Sequence, residues 1–125
     1  MKLVMPVASG RISTAFDFAR QLLVVEYEDG REIGRSEAVV EEELPLNRAR
    51  RLEALGASVL ICGAISRSLA ERLTSVGIEI IPFVSGPVDE VLAAYFAGEL
   101  NSERFLLPGS TSEERTEWRA MRQGP

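Results

Sequence analysis

Short, almost unbroken apolar runs constrain this chain more than any other feature, because such runs suit strands buried on both faces of a sheet. Leu3, Val4, Met5 and Val7 form one, Leu22, Leu23, Val24 and Val25 another, and Val59, Leu60 and Ile61 another. They predict strands over residues 2–8, 21–27 and 57–62, with a further one over 78–84. Pro6 and Pro82 belong near strand ends, since proline donates nothing to a sheet ladder. Asp29-Gly30 lies between two strand-like runs and predicts a hairpin, because both residue types accept positive φ. The returning strand, 31–40, is more polar and so nearer an edge.

Helical spacing fills the gaps. Pro45 suits an early helical position, and the acidic run Glu41, Glu42 and Glu43 precedes it, where the helix dipole favours negative charge. Leu46, Ala49, Leu52 and Leu55 make one apolar face, with Arg48, Arg50 and Arg51 largely off it, and Gly56 stops the helix. Ser66 or Ser68 caps a helix that runs to Val76, with Leu69, Leu73 and Val76 inward. A further helix spans 88–97, packing through Val91, Leu92 and Tyr95 and ending at Gly98. Residues 11–18 read as a loop or a short helix. The order β-β-β-α-β-α-β-α implies a mixed sheet with helices on its faces and right-handed crossovers. The 125 residues fit one domain. From Asn101 the chain turns polar, with a short apolar patch at Phe105, Leu106 and Leu107 and a helical stretch over 112–122. This tail, 101–125, is read either as a mobile terminus or as a docking segment using that patch and Trp118.

Composition narrows the function. A net charge of -5 and a pI near 4.9 disfavour nucleic acid as a partner. Arg48, Arg50 and Arg51 are the one basic concentration, and with Glu41, Glu42, Glu43 and Glu53 nearby they read as local ion pairs. Cys62 is the single cysteine, so no intramolecular disulfide forms, and a cytoplasmic location is the simplest expectation. Neither a signal peptide nor a membrane-spanning run is expected. There is no histidine, which removes the commonest metal ligand and the commonest general base.

The opening Met1-Lys2-Leu3-Val4-Met5-Pro6-Val7 and the following Gly10-Arg11-Ile12-Ser13-Thr14-Ala15-Phe16-Asp17-Phe18-Ala19 resemble the first strand and signature loop of a known family. This is the dinitrogenase iron-molybdenum cofactor biosynthesis family, which includes NifX-type proteins. Its loop pattern is Gly-x-(Ile/Val)-Ser-x-His-Phe-Gly-x-Ala, so Ala15 stands at the histidine and Asp17 at the second glycine. Leu55-Gly56-Ala57-Ser58-Val59-Leu60-Ile61-Cys62-Gly63-Ala64-Ile65 resembles a second block, with Gly63-Ala64 in place of a glycine pair. Gly77-Ile78-Glu79-Ile80 and Ala97-Gly98-Glu99-Leu100 match as well. The resemblance covers residues 1–100, which are taken as the domain. It implies a three-layer α/β/α ribonuclease-H-like motif on a five-stranded mixed sheet. It also implies a cytoplasmic binding, carrier or accessory protein for an iron-sulfur or iron-molybdenum cluster in the metallocofactor biosynthesis of nitrogen fixation. The alternative is a non-catalytic interaction or regulatory module that keeps the fold without the cluster. The implied partners are metallocofactor-assembly proteins, with a homodimer as a further expectation and no membrane.

Six residues form the candidate cofactor-binding set: Ser13, Phe16, Cys62, Gly63, Ser66 and Arg67. Cys62, at the carboxyl end of an expected strand, is the candidate metal ligand, because ligands gather at such strand ends and a thiolate can hold one iron of a preformed cluster. Its competing role is packing, since free cysteine behaves as a small hydrophobe. Gly63 to Ser66 lead into a helix N-terminus, whose free N–H groups suit an anion, and Arg67 adds positive charge. Ser13 and Phe16 shape the signature loop or set its path. An enzyme is not expected. The ribonuclease-H-like nucleases place a metal-binding carboxylate on the first strand, and residues 2–8 contain none.

Overall fold

A computed structural model of the chain describes residues 1–109. The first apolar run forms β1 (Lys2–Ala8), the central strand. Its side chains alternate between faces, so Leu3 and Met5 enter one core and Val4 the other. Ser9 and Gly10 turn the chain with φ of 51° and 76°, and β2 (Arg11–Ile12) folds back onto the end of β1. A 3-10 turn (Phe16–Phe18) follows. Then β3 (Gln21–Glu28) pairs antiparallel with β1, and β4 (Arg31–Val39) pairs antiparallel with β3. The hairpin turn is the expected one, with Asp29 and Gly30 at φ of 51° and 74°.

Helix α1 (Pro45–Ala54) leads into β5 (Val59–Ile61), and α2 (Arg67–Ser75) leads into β6 (Glu79–Ile81). Both strands run parallel to the strand before them in the sheet, β5 to β1 and β6 to β5. The order across the sheet is β4-β3-β1-β5-β6, with β2 attached to β1. The sheet therefore has six strands rather than the expected five, and the element order gains a fourth leading strand. The physical reason is the turn at Ser9-Gly10, which is tight enough to return two residues into register with Val7 and Ala8.

The helices form layers on both faces. Val4, Leu22, Val24, Leu60 and Ile80 pack with Ala49 and Leu52 of α1 and Leu69 and Leu73 of α2. Leu3, Met5, Val25, Ile61 and Ile81 pack on the other face with Val88, Val91 and Leu92 of α3 (Val88–Ala97). Gly98 ends α3 in the left-handed region. Three side-chain expectations are corrected. Leu46, in the first turn of α1, is 41% exposed, and Val76, past the last turn of α2, is 39% exposed. Arg48, placed off the apolar face by the sequence reading, is buried. Beyond α3 a 3-10 turn (Glu103–Phe105) puts Phe105 into the α3-side core, and the Leu107 N–H donates to the Phe83 carbonyl at 2.8 Å. Trp118 and the helix expected over 112–122 lie outside the described residues. Among the described residues no helix is long and apolar enough to cross a membrane.

Candidate functional site

The segments leaving the carboxyl ends of the parallel strands meet at one end of the sheet and are joined by their main chains. Ala64 N–H donates to Thr14 O, and Phe16 N–H donates back to Ala64 O, both at 2.8 Å. Phe83 N–H donates to Gly63 O at 2.9 Å, and Ile12 N–H to Gly86 O at 3.0 Å. This close approach explains Gly63. A Cβ there would lie 2.5 Å from the Thr14 carbonyl oxygen and 2.7 Å from that of Ser13. Phe83, at the exit of β6, has φ 62°, a strained conformation for a bulky residue, held by bonds on both sides of its peptide.

The six sequence candidates divide within this junction. Gly63 lies against the Ser13 carbonyl, Ser66 is bonded to Asp17 of the loop and caps α2, and Arg67 follows Ser66 on an exposed helix start. Phe16 points inward and is fully buried. Cys62 is also fully buried, among Val4, Phe16, Leu60 and Ile65 on the α1–α2 side. Burial pushes its thiol pKa well up, and the negative charge of Asp17 adds to the shift. A thiol held neutral and walled in by core side chains offers no thiolate to a cluster at the surface.

The cap residue of α2 is held from within the protein. The Asp17 carboxylate accepts the Ser66 backbone N–H at 2.7 Å and the Ser66 hydroxyl at 2.6 Å. The Ser66 Oγ in turn accepts the Leu69 N–H at 3.3 Å, the ordinary N-cap bond. The place that the sequence reading reserved for an external anion thus holds an internal one. Among the described residues no group of three or more His, Cys, Asp or Glu is arranged to hold a metal ion. The donor set does not fit a thiolate-held cluster.

Sequence reasoning missed the residue that fixes the loop. Arg48 is 4% exposed, and its guanidinium donates to the carbonyls of Phe16 and Ala19 at 2.7 Å and of Glu42 at 2.9 Å. It also lies over the Phe16 ring, 5.0 Å from the centroid. Burial lowers its pKa, opposed by the charges of Asp17 and Glu42. Its Nε has no partner. The signal was present: Arg48 stands four residues before Leu52 and seven before Leu55, on their side of a 3.6-residue period.

The family pattern described as dinitrogenase iron-molybdenum cofactor matches residues 1–98. This chain belongs to that family. No curated protein matches it. Among solved structures, the protein PH0822 is similar at a TM-score of 0.75 and 23% identity, covering 80% of this chain and 94% of its own. A protein of Methanocaldococcus jannaschii provisionally called a dinitrogenase gives 0.67 and 22%, covering 80% of this chain and 91% of that one. A Thermotoga protein provisionally called NifB and assigned to the DUF35 family gives 0.63 and 20%, with coverages of 88% and 96%. At these identities the likeness is one of fold. Family membership ties the chain to the iron-molybdenum cofactor, and the departures at Ala15 and Asp17 fall in the loop that Arg48 holds.

Proposed function

We propose that this chain is a cytoplasmic, non-catalytic accessory protein of metallocofactor assembly, which binds an iron-molybdenum or iron-sulfur cluster as cargo and passes it among assembly proteins. The family match over residues 1–98 carries this reading. The order β4-β3-β1-β5-β6, antiparallel on one side of β1 and parallel on the other, supports a ribonuclease-H-like motif. The absence of any acidic residue in β1 supports binding rather than hydrolysis. The cargo contacts fall to the loop face around Ser13, Gly63, Ser66 and Arg67, with no bond to Cys62.

A second reading has a specific observation in its favour. Asp17 fills the N-terminus of α2 and Cys62 is enclosed, which suits a protein-interaction or regulatory module that keeps the fold without the cluster. Anaerobic titration of the apo-protein with iron-molybdenum cofactor or an iron-sulfur precursor separates the two, read by visible absorption and size exclusion. Stoichiometric co-elution, equal in wild type and Cys62→Ala, is the expected result for a carrier that needs no thiolate. Absence of co-elution under conditions where a histidine-containing relative takes up the cluster sinks the carrier reading and leaves the interaction module.

A further inference from the structure

Strand β4 (Arg31–Val39) is the edge of the sheet beside β3, and nothing among the described residues pairs with its outer side. Nine residues make a long edge of the kind that invites another strand. It carries two large exposed apolar side chains, Ile33 at 60% and Val39 at 52%. The Val40 N–H donates to Arg20 O, towards β3. Alternation then turns the main-chain groups of Arg35, Glu37 and Val39 outward, where an antiparallel neighbour would bond them.

The sequence of this edge is complementary to itself in one register. We propose that β4 pairs antiparallel with β4 of a second copy of this chain, about a two-fold axis at Ser36, continuing the sheet across the dimer. In that register Arg35 faces the partner's Glu37, Ile33 faces the partner's Val39, and Gly34 faces the partner's Ala38, each twice by symmetry. The neighbouring registers are worse. An axis at Arg35 sets two arginines against each other, and one at Glu37 sets two glutamates against each other. An axis at Gly34 puts Ile33 against the partner's Arg35 and Val39 against the partner's hairpin turn. An axis at Ile33 sets Arg31 against the partner's Arg35. Ile33 is the extra residue of the bulge where the β3 register shifts between Glu26 and Tyr27, so the pairing runs over residues 33–39. Arg35 is already held at the edge by Glu32 and by Asp89 of α3, the latter at 2.7 Å, so its side chain is positioned without further ordering. Glu37 makes no ion pair among the described residues and is left for the second copy. This inference stands apart from the proposed function, since β4 lies at the opposite side of the sheet from β6.

Sedimentation of the full chain at micromolar concentration is expected to give a dimer. Glu37→Arg, which sets a second positive charge against the partner's Arg35, is expected to weaken it at least tenfold. Ser36→Cys should form an intermolecular disulfide on oxidation, since the axis brings residue 36 against itself and Cys62 is buried. A wild-type monomer that yields no Ser36→Cys cross-link overturns the proposal, and so does a dimer indifferent to Glu37→Arg.

Discussion

A thiol without solvent contact ionises late. Cys62 is fully buried, and its pKa stands well above the ordinary value of 9.0, chiefly through burial and then through Asp17. The unfolded chain therefore releases this proton at a pH where the folded chain keeps it, and stability falls as pH rises past the ordinary value. The slope from this one group approaches about 1.4 kcal/mol per pH unit. Below that pH the stabilisation is complete. Urea unfolding of wild type and Cys62→Ala on either side of this pH should show the wild type losing ground to the variant in the alkaline range only. A constant difference would mean that the thiol ionises inside the fold. Arg48 is the opposite case at this scale, a permanent charge that the fold accepts because three carbonyls accept its hydrogen bonds. Its position was legible in the helical period, whereas its burial was not, since two of the three carbonyls that accept its hydrogen bonds come from a loop far away in the chain, Phe16 and Ala19 at separations of 32 and 29.

At the scale of elements, α2 begins on two residues from different segments. Ser66 caps it locally by accepting the Leu69 N–H, and Asp17, from the signature loop, accepts the N–H and the hydroxyl of Ser66 itself. Ser66→Ala should cost about 0.5–2 kcal/mol. Asp17→Ala should cost a similar amount, but the double variant less than the sum, because one substitution removes the other's partner. A double-mutant cycle by denaturant unfolding measures this, and strict additivity would show that the carboxylate does not act through Ser66. A serine cap at Ser66 or Ser68 was readable, and the structure selects Ser66. The hairpin at Asp29-Gly30 and the stops at Gly56 and Gly98 were also readable, because each follows from local dihedral preference. Strand β2 was not, since Arg11–Ile12 is too short to show any period and exists only because Val7 and Ala8 lie opposite.

For the whole molecule, the sheet divides the interior into two cores, and the segment after α3 helps to close one of them. Phe105 is 6% exposed, lies within reach of Val91 and Gly86, and belongs to the same core as Leu3 and Met5. Phe105→Ala should destabilise the protein by about 3–5 kcal/mol, read as a fall in the urea midpoint. A midpoint unchanged from wild type would show that residues 101–109 are dispensable to the packed body. Apolar periodicity, glycine and proline act through neighbours in the chain, so the main strands, the helices, the turns and the kinship could all be read before any fold was in view. Three features could not: that Cys62 faces the core, that Asp17 binds the cap residue Ser66, and that Arg48 holds the loop. Each depends on groups far apart in sequence, whose contact is set by how the helices settle on the sheet and by no local preference.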